Sequence, residues 1–397
     1  MALRLAVALM ALVAFMWLGY EFWRLVWESP PIWASSPEGA VDLKIFRNLV
    51  NRWFAGTPVY SELGTAVHPP ATYVIPWPLL GWIDETPARW LWAVTTVAAL
   101  GWLIYLIILE SGADTPLERV FVALIPLSMY ATGATIGNGQ LIVHLLPALL
   151  AGLLLLHRRQ GRWRENLLAA SLVLMSLVKP SVAVPFFWIV LFVAARLRPA
   201  LLVTLGYAAL TIFAVSFQEP AFSTLFRDWL TRSSALAVSA GETNLHIWLA
   251  ALGLKEWIFP ASSLVLVALG FWTYRYRRID LWLLMGVTAL VTRFWAYHRW
   301  YDDLLILLPI VALFRIAKQR ASTDSMGVLA GLLLSITLLL MLAPGGLFLF
   351  PPPWNMLYAS LQTIVWIVVL IFLLEQTRRE QGQPSLKVLQ VKAAGER

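Results

Sequence analysis

The chain has 397 residues, 60% of them hydrophobic and 13% charged, with a mean hydropathy of +0.73, a balance that excludes a soluble globule with a polar skin. Its net charge of +8 is carried in short basic breaks between apolar runs, so it reflects membrane topology, and no nucleic-acid partner is expected. The absence of cysteine removes disulfides, thiolate chemistry and cysteine-ligated metal.

Apolar runs recur along the whole length at the ~17 to 25 residues that a helix needs to cross hydrocarbon. Backbone polar groups in lipid must pair within their own segment, so the expected fold is an all-α integral membrane bundle. The first run, from Leu5, continues through the bulky Trp17, Tyr20, Trp23 and Trp27 with no small-residue cleavage site, and reads as an uncleaved signal anchor. Crossings are expected near 5–27, 88–109, 117–133, 140–156, 165–179, 181–196, 200–217, 257–274, 280–293, 303–315, 326–343 and 355–374, about 12 in all. Basic breaks at 157–164, 196–198, 275–278, 315–320 and 378–379 place both termini in the cytoplasm by the positive-inside rule. Residues 70–83, interrupted by Pro76 and Pro78, are taken as a re-entrant segment; if they cross, a segment within 117–156 must be re-entrant instead. One membrane domain then covers 1–375, with a first external loop at 28–87 and a cytoplasmic tail at 376–397.

Within that loop, Val41 to Phe54 has apolar residues at Leu43, Phe46, Leu49, Val50, Trp53 and Phe54, opposite Lys44, Arg47, Asn48, Asn51 and Arg52. This helical periodicity with a basic face predicts an amphipathic helix lying in the headgroup plane. Asp42 opens it, either as a helix cap or as an acid available for chemistry at the membrane surface. His68-Pro69-Pro70, the turn Gly137-Asn138-Gly139-Gln140, Lys179-Pro180, the loop 218–246 and the cluster Arg293 to Asp303 all fall on the same, extracytoplasmic side. Polar groups at membrane depth are costly and mark cavities or function.

The turn offers two amides that suit sugar hydroxyls or helix packing. Lys179, at the end of an apolar run, either meets an anion or snorkels. Arg293-Phe294-Trp295-Ala296-Tyr297-His298-Arg299-Trp300-Tyr301 suits a phosphate beside an apolar or sugar surface, or forms an interfacial aromatic belt. Asp302-Asp303 alone is a weak divalent-metal signal. No nucleotide-binding, zinc-protease or serine-nucleophile motif is present.

Asp42, then Gly56-Thr57-Pro58-Val59-Tyr60, His68-Pro69-Pro70, Pro78-Leu79-Leu80, Gly139-Gln140, Val178-Lys179-Pro180 and the His298 cluster together resemble glycosyltransferase family 87 in the same order over residues 1–315. That family comprises polyprenyl-phosphate-sugar-dependent enzymes of the GT-C class and includes the mycobacterial phosphatidylinositol mannoside mannosyltransferase. The chain departs from the pattern at His68, where the family often has tyrosine, and in carrying the lone His298 where paired histidines are common.

The resemblance implies an inverting transferase of the extracytoplasmic face of a bacterial plasma membrane, with Asp42 as general base. His298, Lys179, Arg293 and Arg299 would then hold the donor phosphate, and Tyr60, His68, Asn138, Gln140, Tyr297 and Tyr301 the sugar and acceptor. Mannose is the sugar implied, and a glycolipid or other lipid-linked acceptor the partner, with no metal or other cofactor demanded. The competing classes are a lipid flippase or transporter, which should show internal repeats and a polar transmembrane path, and a non-catalytic subunit of an envelope-assembly complex, in which Asp42 and His298 would be replaceable.

Overall fold

The computed structural model describes residues 2–27, 38–62, 65–158, 162–193, 197–240, 243–320 and 324–381. Among the described residues the regular structure is helical, apart from one isolated bridge between Met129 and Leu342. Each expected apolar run contains helix where it is described, as unpaired backbone in lipid requires. Among the described residues five helices are long and apolar enough to cross a membrane unaided: Leu3–Trp27, Glu85–Ser111, Leu197–Val215, Lys255–Arg275 and Trp354–Gln381. A sixth is counted if Tyr130–Asn138 and Ile142–Arg158, bent by 118° at their junction, form one broken span.

By length and composition, five or six such helices are counted among the described residues, and the expected twelve crossings are not confirmed. Pro116–Ser128, Trp163–Ser176, Leu281–Trp295 and Leu307–Gln319 are each shorter than the ~20 residues that span ~30 Å. The breaks have local causes. Proline removes an N–H donor and stops Trp163–Ser176 from running on through Lys179-Pro180, while the turn Trp300–Ile306 winds as 3-10 helix before Leu307–Gln319 begins. Residues 70–83 form two single turns, Ala71–Val74 and Trp77–Leu80.

The sharp bend at Gly139 is set by sterics. Its φ is +69° and a Cβ there would lie 2.6 Å from Leu43 Cβ, so the backbone needs glycine both for its conformation and for its approach to Val41–Phe54. Gly133 and Gly137, in ordinary helical conformation, make a similarly close approach to the first helix, Ala2–Trp27, where added Cβ atoms would strike the Trp17 indole and the Glu21 carboxylate. Small residues thus let two helices touch backbone to side chain.

Val41–Phe54 is the expected amphipathic helix, with Leu43, Phe46, Leu49, Val50 and Trp53 buried. Its polar face is tied to protein: Lys44 meets Glu38 at 3.0 Å and Glu85 at 3.3 Å, and Arg47 Nε donates to the Ile83 carbonyl at 2.8 Å. Trp53 Nε1 donates to the Ala214 carbonyl, and Gln218 Nε2 donates to the Trp53 carbonyl. Trp53 also stacks on Tyr73, and Phe54 on Trp77. Val41–Phe54 and the short turns at 71–80 are therefore packed down as a lid of helices on the bundle.

Candidate active site

Under that lid lies a cavity of about 640 Å³, walled by Val41–Phe54, the 65–69 loop, the Gly139 turn, the Lys179-Pro180 step, Phe222–Ala240, the start of Ile258–Arg275 and residues 295–301. These segments are far apart in sequence. The helix breaks that shorten the spans bring them together.

Asp42 faces this cavity and is half-buried. The helix N-cap is Ala40, with no side-chain cap hydrogen bond, so of the two roles open to Asp42 the capping one is not seen. Burial pushes the Asp42 carboxyl above its ordinary value of 3.8, opposed by a hydrogen bond from Gln140 and the charges of Lys179 and Arg299. The group thus sits in a setting that makes a carboxylate more basic than usual while keeping cations beside it.

Lys179 is 5% exposed and lines the cavity. Its ammonium donates to Asp302 Oδ1 at 2.5 Å and lies 4.9 Å from the Tyr301 ring centroid. Thr72 Oγ1 donates to the Val178 carbonyl at 2.8 Å, pinning the adjacent backbone to the lid. Arg299 and Tyr297, both half-buried, complete the charged end, with Tyr301 behind them. Burial raises the Tyr297 hydroxyl to about 12, so it stays protonated and able to donate. His68 also faces the cavity; burial, and then the Lys179 charge, lower its imidazole to about 4. It is a neutral group near pH 7.

Four residues expected at the site stand behind its walls. His298 is fully buried: Nδ1 sits 3.0 Å from the Ala296 carbonyl, an acceptor only, so Nδ1 carries the proton, and Nε2 has no partner among the described residues. Burial lowers its pKa to about 4, which leaves it neutral rather than a phosphate-binding cation. Arg293 pairs with Asp303 and stacks over Trp366. The Asn138 Oδ1 accepts from Arg24 Nη2 at 3.2 Å, and Arg24 in turn pairs with Glu21. Tyr60 donates to the His68 carbonyl at 2.5 Å and packs edge-on against Trp53.

The adjacent carboxylates of Asp302 and Asp303 diverge to different cations. Tyr130 donates to Asp303, and Gln362 Nε2 donates to the Tyr130 hydroxyl at 3.1 Å. The pair is thus split between the cavity's cations and the core. Among the described residues no group of three or more His, Asp or Glu is placed to hold a metal ion.

Sequence reasoning missed the far wall, where His246 Nε2 lies 2.8 Å from Ser262 Oγ and where Trp229 Nε1 and Ser233 Oγ both donate to the Val67 carbonyl. Nothing in residue spacing marks these positions. The 218–246 segment stands out only as a whole, as a polar stretch, and within it Phe222–Ala240 is a helix.

A lidded cavity holding one carboxylate and two cations, set among membrane-length helices, defines a membrane-embedded protein built to handle a polar group at the edge of the lipid. The profile of glycosyltransferase family 87 matches residues 66–303, more than half of the chain, and the chain belongs to that family. It is a glycosyltransferase. His68, Gln140, Lys179, Tyr297, Arg299 and Tyr301 lie within the matched stretch, and Asp42 precedes it. No curated protein and no solved structure matches the chain.

Proposed function

We propose that this glycosyltransferase is inverting and moves a sugar, mannose in our reading, from a polyprenyl-phosphate donor to a hydroxyl of a glycolipid or other membrane-associated acceptor. The observation that carries the proposal is that Asp42 shares one cavity with Lys179, Arg299 and Gln140. As the acceptor oxygen bonds to the anomeric carbon, Asp42 takes the hydroxyl proton and the carbon–oxygen bond to phosphate breaks. A lipid phosphate monoester leaves. A positioned base is worth ~10² to 10⁴-fold in rate, and burial favours Asp42 in that role by raising its affinity for the proton.

Lys179 and Arg299 meet the charge that grows on the departing phosphate, the work of preorganised cations in a water-poor site. His298 and Arg293 support the 296–303 segment from behind, and Asn138 supports the turn that presents Gln140. Displacement assisted by one carboxylate inverts configuration, so a β-linked donor yields an α-linked product.

We place the cavity on the extracytoplasmic face of a bacterial plasma membrane, with both termini cytoplasmic. Support comes from the Glu85–Ser111 helix: Glu85 at its start bonds Lys44 of the lid, and Glu110 near its end pairs with Arg158 of a basic break. Twenty-seven residues at ~1.5 Å each separate the two ends by about 40 Å. The test is purified protein in liposomes with radiolabelled polyprenyl-phosphate mannose and total membrane lipid. Transfer giving an α-linked product is expected; a β-linked product from a β-linked donor, which requires retention, refutes the single-displacement mechanism.

A further inference from the structure

The carboxylate nearest Lys179 in bonding terms is Asp302, which is fully buried and does not line the cavity. Its two oxygens are both engaged on cavity-facing segments. Oδ1 accepts from the Lys179 ammonium at 2.5 Å, and Oδ2 accepts from the Arg299 backbone N–H at 3.2 Å. One side chain thereby fixes the Lys179-Pro180 step and the Arg299 turn in register, with the Tyr301 ring supporting the ammonium from a second side. Asp303, one residue on, makes no such link and is spent on Arg293 and Tyr130.

Around the cavity's charged end, Asp42 and Asp302 then oppose Lys179 and Arg299, so an arriving phosphate must share Lys179 with a carboxylate already bound to it. A buried ammonium left without a counter-charge would be costly, which gives Asp302 a reason to be there when the site is empty.

We propose that Asp302 is a positioning residue that acts as the resident counter-ion of the phosphate site: it holds Lys179 and the Arg299 turn in place in the empty enzyme and competes with the phosphate for Lys179. The competition lets the lipid phosphate product dissociate from a site that would otherwise clamp it. This rests on the reading of the cavity as a lipid-phosphate site.

The test uses the full-length protein in detergent at pH 6, with farnesyl phosphate as probe and farnesol as its uncharged control. Asp302→Asn keeps the shape and can still accept from the Arg299 N–H. Because charge competition is removed, farnesyl phosphate should bind about tenfold tighter to Asp302→Asn than to wild type, a coupling of ordinary size for a contacting pair. In the Lys179→Met background the same substitution should change affinity by less than about twofold, since the competed-for group is gone.

Farnesol binding should be unchanged throughout. An affinity unchanged or weakened in Asp302→Asn overturns the counter-ion role and leaves Asp302 as a cap on the Trp300–Ile306 turn. Equal tightening in both backgrounds overturns the action through Lys179. If wild type binds farnesyl phosphate no better than farnesol, the lipid-phosphate reading itself fails, and the inference with it.

Discussion

Lys179–Asp302 and Lys318–Glu118 join the same chemical groups in opposite settings. In the first pair the side chains are 6% and 0% exposed and Lys179 lines the cavity; in the second they are 22% and 23% exposed, with Asp114 as a further partner of Lys318. Water and salt screen the second pair, whose worth is typically no more than about 1 kcal/mol. The first pair is shielded, and desolvation of both ions cancels much of what their attraction returns. Stability alone is thus a weak reason to keep it, whereas placing a cation at a reaction centre is a strong one. Arg293–Asp303 belongs with the sealed group, and Arg315–Asp280 with the wetted one.

That contrast is broken or sharpened by substitution on each side. The largest loss of stability is expected from Arg293→Met, which leaves Asp303 buried without its cation; about 3 to 5 kcal/mol should disappear, measured as loss of the folded fraction in a denaturant titration in detergent. Gly139→Ala comes next, because the new Cβ meets Leu43 while the backbone holds a positive φ. A cost of roughly 1 to 3 kcal/mol is expected, with activity lost beyond the stability change because Gln140 moves. If Gly139→Ala retains wild-type activity, the turn does not position the site.

His68 and His298, both near 4 in the fold against an ordinary 6.5, give a pH dependence. Below pH 6.5 the unfolded chain takes up protons that the folded one refuses, so thermal stability should hold above pH 6.5 and fall as pH drops toward 4. His298→Gln should flatten part of that slope; an unaltered slope would show that His298 is protonated in the fold. The smallest effect belongs to Lys318→Ala, expected to change stability by no more than about 1 kcal/mol and to leave transfer unchanged. A large loss there would erase the distinction between the sealed and the wetted pairs.

The helices themselves were legible, because each apolar run needs its backbone bonded internally and Val41–Phe54 carries an unmistakable period. The number of crossings was not, since hydropathy registers a run whether it becomes one straight span or stops short at a break such as Lys179-Pro180 or Gly139. At the site, Asp42, Lys179, Gln140 and Arg299 stood out as polar residues where polarity is costly. Which of their neighbours face the cavity was not readable, because that depends on short turns. His298 and Arg299 are adjacent, yet one lies inside the wall and the other on it, and the 3-10 winding that sends Asp302 toward Lys179 and Asp303 toward Arg293 leaves no mark in residue types. The far wall of His246 and Ser262 is built from tertiary contacts alone.

The most direct measurement of the central claim is turnover by purified wild type and Asp42→Asn on the same lipid-linked donor, with farnesyl phosphate affinity measured in parallel. Loss of kcat by about 10² to 10⁴-fold with affinity kept, and a wild-type rate that rises with pH through a carboxyl above the ordinary 3.8, is the predicted result. Turnover by Asp42→Asn equal to wild type would contradict the account, because the carboxylate in the cavity would then take no proton.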